Sequence, residues 1–221
     1  MIHEVDDALR ALIVDGSWLD SQIEVVFEAP TSDWAARRNA PTVNVFLYDV
    51  REDLARRDSG RLEEHDEDGK LVGWRSPPRW YHLSYLVTAW TTRAQDEHRL
   101  LSALLARLAG LEALPEQHLR GSVAEAGMAV RMQTARPLGE GRSLSELWSA
   151  LGGELKPSVD LLITAPMLGE LTPVGPLVTD GLVLGTDDER RRLRYPDPAA
   201  DAVPALGAAT PRVRRRRGTI R

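Results

Sequence analysis

The densest set of ligating side chains in this sequence is Glu63, Glu64, His65, Asp66, Glu67 and Asp68. A hard cation needs several oxygens converging on one point. Consecutive side chains on an extended segment point to opposite faces, so this run does not converge. It also lacks the spacing of a calcium-binding loop. It reads instead as a solvated charged loop or a polar interface arm. The five histidines, His3, His65, His82, His98 and His118, never fall at a spacing that puts two imidazoles on one metal. Asp96, Glu97 and His98 sit at the expected start of a helix, where the dipole favours carboxylates without any catalysis. A Ser-His-Asp triad can be drawn from distant positions, but no GxSxG elbow supports it. No cysteine is present, which removes disulfides, thiolate metal sites and cysteine nucleophiles. The glycines form neither GxGxxG nor a phosphate-cradling loop. No catalytic, cofactor or metal residue is therefore assigned, and an enzyme is not expected.

Two residue groups point to surfaces rather than chemistry. The first is tryptophan, at positions 18, 34, 74, 80, 90 and 148. Trp90 and Trp148 read as core or half-core. Trp34 and Trp74 lie in polar segments, where an exposed indole is a common interface anchor. Loops folding back over a sheet account for them equally well. The second group is arginine: Arg212, Arg214, Arg215, Arg216, Arg217 and Arg221 fall in the last eleven residues. The net charge of the 221-residue chain is −5, so the part before this block is more acidic than the whole. A like-charged run beside Pro211 and Gly218 reads as a disordered tail. It could bind phosphates, but the acidic body argues against a dedicated nucleic-acid protein.

The elements that position these residues follow from periodicity. Ile2, Val5, Leu9, Leu12 and Ile13 predict an opening helix that Asp15-Gly16 ends. Ile23, Val25 and Phe27 alternate as a first strand. The segment from Ala29 to Pro41 reads as a loop, and Thr42 to Tyr48 as a second strand. Residues 51–76 read as a charged insertion, a projecting hairpin turning at Asp68-Gly69.

A long strand follows Pro77-Pro78. Tyr81, Leu83, Tyr85, Val87 and Ala89 share one face; His82, Ser84, Leu86, Thr88 and Trp90 share a mixed, half-covered one. Thr92 and Gln95 have capping-box spacing ahead of a helix with Leu100, Leu101, Leu104, Leu105 and Leu108 in one stripe. Gly110 is its natural stop. Met128 to Ala135 predicts a fourth strand. Ser143 and Glu146 form a second capping box ahead of a short helix. Ser158 to Ala165 predicts a fifth strand. Beyond Pro166 regularity fades, apart from a short strand near Leu182 to Leu184. The order is α+β with a mostly antiparallel or mixed sheet and a long amphipathic helix packed on it.

With 43% apolar residues the chain has the composition of a globular protein. No apolar run is long enough to span a bilayer and no signal-peptide pattern opens the chain, so cytoplasmic synthesis and no membrane partner are expected.

Four separated blocks then resemble one family. They are MIHEVDDALRALI, the pair IEVVFEAP and PTVNVFLYDVRED, the pair RWYHLSYLVTAW and EHRLLSALLARL, and LSELWSALGGELKPSVDLLITAP. Their order and spacing resemble the tube-cap, or tail-terminator, family of phage-tail-like contractile injection systems. The resemblance covers roughly residues 1–166, expected as one domain, with residues 167–221 as an irregular extension. It implies a tail-terminator-like fold and a six-fold homohexameric ring. Such a ring caps the inner tube, contacts the sheath and helps fix its length, with no cofactor.

No site residue carries over from the family. Interface candidates come from exposure and position: His82, Ser84, Thr88 and Trp90 on the strand's second face, Trp34 and Trp74, and Arg214, Arg215, Arg216 and Arg217. The alternatives are a baseplate component or tube-initiating adaptor of the same particle, and more distantly a small hydrolase or a nucleic-acid binder.

Overall fold

The computed structural model describes residues 1–16, 18–137, 143–175, 182–186 and 189–193. Its elements are α1 (Ile2–Val14), β1 (Glu24–Val26), α2 (Ser32–Ala36), β2 (Thr42–Glu52), β3 (Leu62–His65), β4 (Leu71–Arg75), β5 (Arg79–Trp90) and α3 (Ala94–Leu108). They continue with α4 (Gly121–Glu125), β6 (Arg131–Thr134), α5 (Leu144–Ala150), β7 (Ser158–Met167), β8 (Leu171–Pro173), β9 (Leu182–Thr186) and β10 (Glu189–Leu193). Short 3-10 turns occupy Leu54–Arg56 and Glu116–His118. The chain divides into Met1–Val174 and Gly175–Arg221. In the second unit β9 and β10 pair as an antiparallel hairpin.

The main sheet has the order β1-β2-β5-β7-β6. All its pairings are antiparallel except β1 with β2. One face of β5 carries Leu83, Tyr85, Val87 and Ala89 into the core, as the two-residue period predicts. Val43 and Val45 join them from β2, and Val159, Leu161, Ile163 and Ala165 from β7. Helix α1 covers this face with Val5, Ala8, Leu9, Leu12 and Ile13, and α3 with Leu100, Leu104 and Leu108. Burying each such Leu or Val contributes about 1.5–3 kcal/mol, so these two helices hold the fold.

Several local expectations give way to stronger competitors. The stretch expected as a loop after Ala29 contains α2, because the Thr31 hydroxyl accepts the Trp34 N–H at 3.2 Å and starts a turn. The Thr92–Gln95 cap does not form. Arg93 stands at the N-cap without a side-chain cap, and Thr91 ties the entry instead: its hydroxyl accepts the Arg93 N–H, and its own N–H donates to Glu97 Oε1. At α5 the Ser143 hydroxyl meets Ser145 instead of a backbone N–H. Leu105 stays exposed on α3.

Strand β2 runs on to Glu52, so the insertion leaves the sheet only after it. Its hairpin turns through five residues rather than two. Asp66 Oδ1 accepts the N–H groups of Asp68 and Lys70, and Gly69 supplies the positive φ of +76°. Strand β8 adds to β4, making a three-stranded arm of order β3-β4-β8.

A long-range clasp ties α1 to α4. Glu4 Oε1 accepts the Ser122 N–H at 2.9 Å; Oε2 accepts the Ser122 hydroxyl at 2.6 Å and the Val123 N–H at 3.2 Å. The carboxylate thereby satisfies the free N–H groups that open α4. Burial works against its charge. The Ser122 bonds and the nearby N-terminal ammonium outweigh that and hold its pKa down to about 2. Gly121, at φ +57°, is required here, because a Cβ would lie 2.8 Å from Glu4 Cδ.

Candidate assembly surface

The mixed face of β5 is covered more completely than its sequence suggests. Ser84, Leu86 and Thr88 are buried within the protomer, while His82 and Trp90 stay half-buried at opposite ends. At the Trp90 end, α2 and α5 bring Trp34 and Trp148 against it. Trp34 meets Trp90 edge-on with ring centroids 5.2 Å apart, and Trp148 follows at 6.3 Å. Trp34, expected in an open polar loop, is buried and anchors the loop on its own sheet. Its indole N–H donates to Glu28, which holds that carboxyl below the usual range.

Cations line the cluster. Arg38 lies 4.6 Å over the Trp34 ring and binds Glu24 and Glu28. Lys156 lies 4.4 Å over Trp90 and binds Glu97 Oε2 at 2.5 Å. Each cation has both an aromatic face and a carboxylate, so the cluster is self-contained. Beside it a cavity of about 480 Å³ opens between Ile23, Arg38, Pro41, Trp90, Thr92 and Leu100.

At the other end of β5, His82 sits between Thr164 and Asp53. Its Nδ1 is 3.1 Å from Thr164 Oγ1, and its Nε2 is 3.6 Å from Asp53 Oδ2. Thr164 is buried, so this row of side chains offers no open nucleophile. It links β5, β7 and the 3-10 turn after β2, which Asp53 caps by accepting the Ala55 N–H. Arg56 lies over the Trp80 ring, and Arg79 binds Glu52 at 2.7 Å.

From this end projects the arm. Glu63, Asp66, Glu67 and Asp68 are exposed on it, while Glu64 pairs with Arg75 at 3.0 Å. Among the described residues no group of three or more His, Asp or Glu is arranged to hold a metal ion. Trp74 is half-buried on β4. Arg214 to Arg217 lie outside the described residues.

Sequence reasoning missed two polar contacts in the core. Tyr85, on the core face, donates its hydroxyl to Asp6 Oδ1 at 2.7 Å. Burial pushes both the Asp6 carboxyl and the Tyr85 hydroxyl up. A Tyr among core-facing aliphatics was the signal, because a buried phenol needs a partner. The Glu4–Ser122 clasp had no local signal at all.

A sheet with a helical layer over its core face, a projecting arm and a self-contained aromatic cluster is a scaffold with surfaces. Its ancestry is legible by comparison. The model of the Pvc16 N-terminal domain family matches residues 4–180. The chain belongs to that family. The match runs from α1 past β8, so it takes in the main sheet and the arm. No curated protein matches the chain.

Two structures solved by electron cryo-microscopy share the Pvc16-domain fold. One is the sheath/tube terminator of PVC, an extracellular contractile injection system, in its extended state. It is 22% identical with a TM-score of 0.59, covering 87% of this chain and 65% of that one. The other is the tube-terminating cap of the anti-feeding prophage, 19% identical with a TM-score of 0.56, covering 81% of this chain and 60% of that one. The chain thus spans less than two thirds of the length of either relative. No helix among the described residues is long and apolar enough to cross a membrane.

Proposed function

We propose that this protein ends the inner tube of a contractile injection system, as a ring of its own copies that also meets the sheath. The observation that carries the reading is the Pvc16-domain match over residues 4–180. The fold shared with a sheath/tube terminator and a tube-terminating cap supports it. A growing tube exposes unsatisfied apolar and strand-edge surface at its end. A ring complementary to that surface, and offering no matching surface above, stops heterologous growth. Such work needs shape and contact rather than catalysis, so the protein acts as a structural component and not as an enzyme.

In this reading the ring is a homohexamer assembled in the cytoplasm of the producing cell and incorporated in the particle. His82 and Trp74, each half-exposed, are contact candidates at the arm end, and Trp90 at the other. Ser84, Thr88 and Trp34 act behind that surface by fixing it. Arg214 to Arg217 supply a basic segment for the acidic surface of a neighbouring subunit or of the sheath.

Electron microscopy of particles made without this protein tests the reading. Overlong or uncapped tubes are the expected result. Normal tube length refutes it, and absent tubes turn the assignment to a baseplate component or tube-initiating adaptor. Light scattering of the purified protein gives the ring mass, with and without residues 57–73.

A further inference from the structure

The main sheet and the arm end in unequal edges. At one side of the main sheet β6 is protected: Ala113 bridges Arg131, Met132 N–H donates to Glu112 O, and Leu114 N–H donates to Val130 O. At the other side β1 covers only Thr42, Val43 and Asn44 of the eleven-residue β2. Asp53 N–H donates to Trp80 O at 2.8 Å, toward β5. By the alternation of an antiparallel ladder, the N–H and C=O groups of Val50 and Glu52 point away from β5. Among the described residues no strand meets them there. Val50 is 44% exposed, and Leu54, just past this edge, is 65% exposed.

The arm has two edge strands, β3 and the three-residue β8, whose Pro173 has no N–H to offer, so β3 is the edge able to pair along its length. Strand β3 pairs only with β4, and its outer side meets no strand among the described residues. Of residues 62–75 only Gly73 is buried, and Leu62 is 48% exposed. A three-stranded sheet with almost no buried apolar face is marginal without a partner. A long-lived open edge invites pairing, and proteins that stay apart protect theirs. Here one edge of the main sheet is protected and the edge beside the arm is not.

We infer that β3 of one copy adds as a strand to the Val50–Glu52 edge of β2 in a second copy. The lengths are compatible, since the four residues of β3 can span the three of the Val50–Glu52 edge. Charge can be exchanged across the joint: Glu63 and the Asp66-Glu67-Asp68 loop make the arm tip acidic, and exposed Arg51 and Arg57 at the β2 edge hold Asp49 and Glu52 there in surface pairs that cost little to re-form with a neighbour. The two edges are different surfaces of one chain, so the contact is head-to-tail, the kind that builds a ring when the rotation between copies closes. The inference rests on the ring reading above and names the joint that makes the ring.

The test is Val50→Pro. Proline there removes an outward N–H, leaves the β2–β5 ladder its donors, and blocks strand addition. The full-length variant is expected to keep its circular dichroism and lose the ring mass by light scattering. A folded variant that keeps the ring overturns the inference, and so does one that keeps the ring and loses only tube binding.

The chain has no cysteine, which allows a second measurement independent of that variant. Arg51→Cys combined with Glu63→Cys, treated with a short bis-maleimide, is expected to give a ladder of covalent oligomers. Cross-linking confined to single chains overturns the inference. Tube length in particles reports capping and ring mass reports this joint, so the two readings fail separately.

Discussion

Gly121→Ala probes the clasp between α1 and α4. The backbone at Gly121 has φ +57°, which costs an L-residue about 1–2 kcal/mol. The new Cβ would also lie 2.8 Å from Glu4 Cδ and inside contact distance of Oε1, so the carboxylate must leave. Leaving forfeits hydrogen bonds from the Ser122 N–H, the Ser122 hydroxyl and the Val123 N–H. Losing bonds to a charged acceptor costs about 1.5–3 kcal/mol even when water replaces some of them. The expected destabilisation is therefore roughly 2.5–5 kcal/mol, or a Tm lower by roughly 5–20 °C.

Urea unfolding at several pH values separates this mechanism from general damage. In the wild type Glu4 is held at about 2, below its ordinary 4.5. A depressed carboxyl contributes stability that is present above the ordinary value and is lost as pH falls toward the depressed one. The gap between wild type and Gly121→Ala must then shrink as pH drops from 6 to 3. In a Glu4→Ala background the same Gly121→Ala change must cost only the backbone strain, about 1–2 kcal/mol. A loss below about 1 kcal/mol, or a gap that stays flat with pH, refutes the reasoning.

Three further outcomes follow from the packing. Leu9→Ala, at a fully buried position of α1, should cost about 2–5 kcal/mol by chemical denaturation and leave the arm's proteolysis pattern unchanged. Asp6→Asn keeps an acceptor for the Tyr85 hydroxyl and removes a charge that burial opposes. Because the Asp6 carboxyl is raised, its ionisation weakens the fold as pH climbs above the ordinary value. The variant should gain on the wild type between pH 3 and 7, and no change in the difference counts against it. Gly73→Ala would place a Cβ 2.5 Å from Thr172 O and 3.2 Å from Pro173 Cα, forcing β8 off β4. Limited proteolysis should then cut near β8 while the unfolding midpoint of the main sheet holds.

Elements whose residue types repeat over many positions were legible in the sequence. Strand β5 and helix α3 each show their core face through five residues at a fixed period, and the structure buries Leu83, Tyr85, Val87 and Ala89 of the one and Leu100, Leu104 and Leu108 of the other, leaving Leu105 outside. Shorter features carried too few residues for a period to register. Helix α2 has five residues, and its start depends on one hydroxyl, that of Thr31. Strand β8 has three residues, ends in proline and exists only because β4 offers an edge. Capping boxes illustrate a different failure. Thr92 and Gln95 have suitable types and spacing, yet the helix starts at Ala94 with Arg93 at the N-cap, and the side-chain bonds form one residue earlier, from Arg93 N–H to the Thr91 hydroxyl and from Thr91 N–H to Glu97. Trp34 shows the limit at the surface: polar neighbours in sequence said nothing about the Trp90 ring that a sheet brings to it. The Glu4 clasp spans 118 residues, a separation at which a single sequence has no signal.

The distribution of burial separates stability from assembly. The core-facing leucines and valines of α1, α3 and the sheet, such as Leu9, Leu104 and Val87, are buried, and Tyr85 among them has Asp6 as its partner. The arm has the opposite character, with one buried residue between Leu62 and Arg75, exposed Leu62 on β3 and exposed Leu171 on β8. Removing it takes almost nothing from the core, so the fold gives no reason to keep it. Exposed apolar side chains gathered at one end, rimmed by charge, mark a contact surface rather than a folding requirement. Changes in the α1–α4 clasp should therefore move the melting point, and changes at the arm or the Val50 edge should move the ring mass.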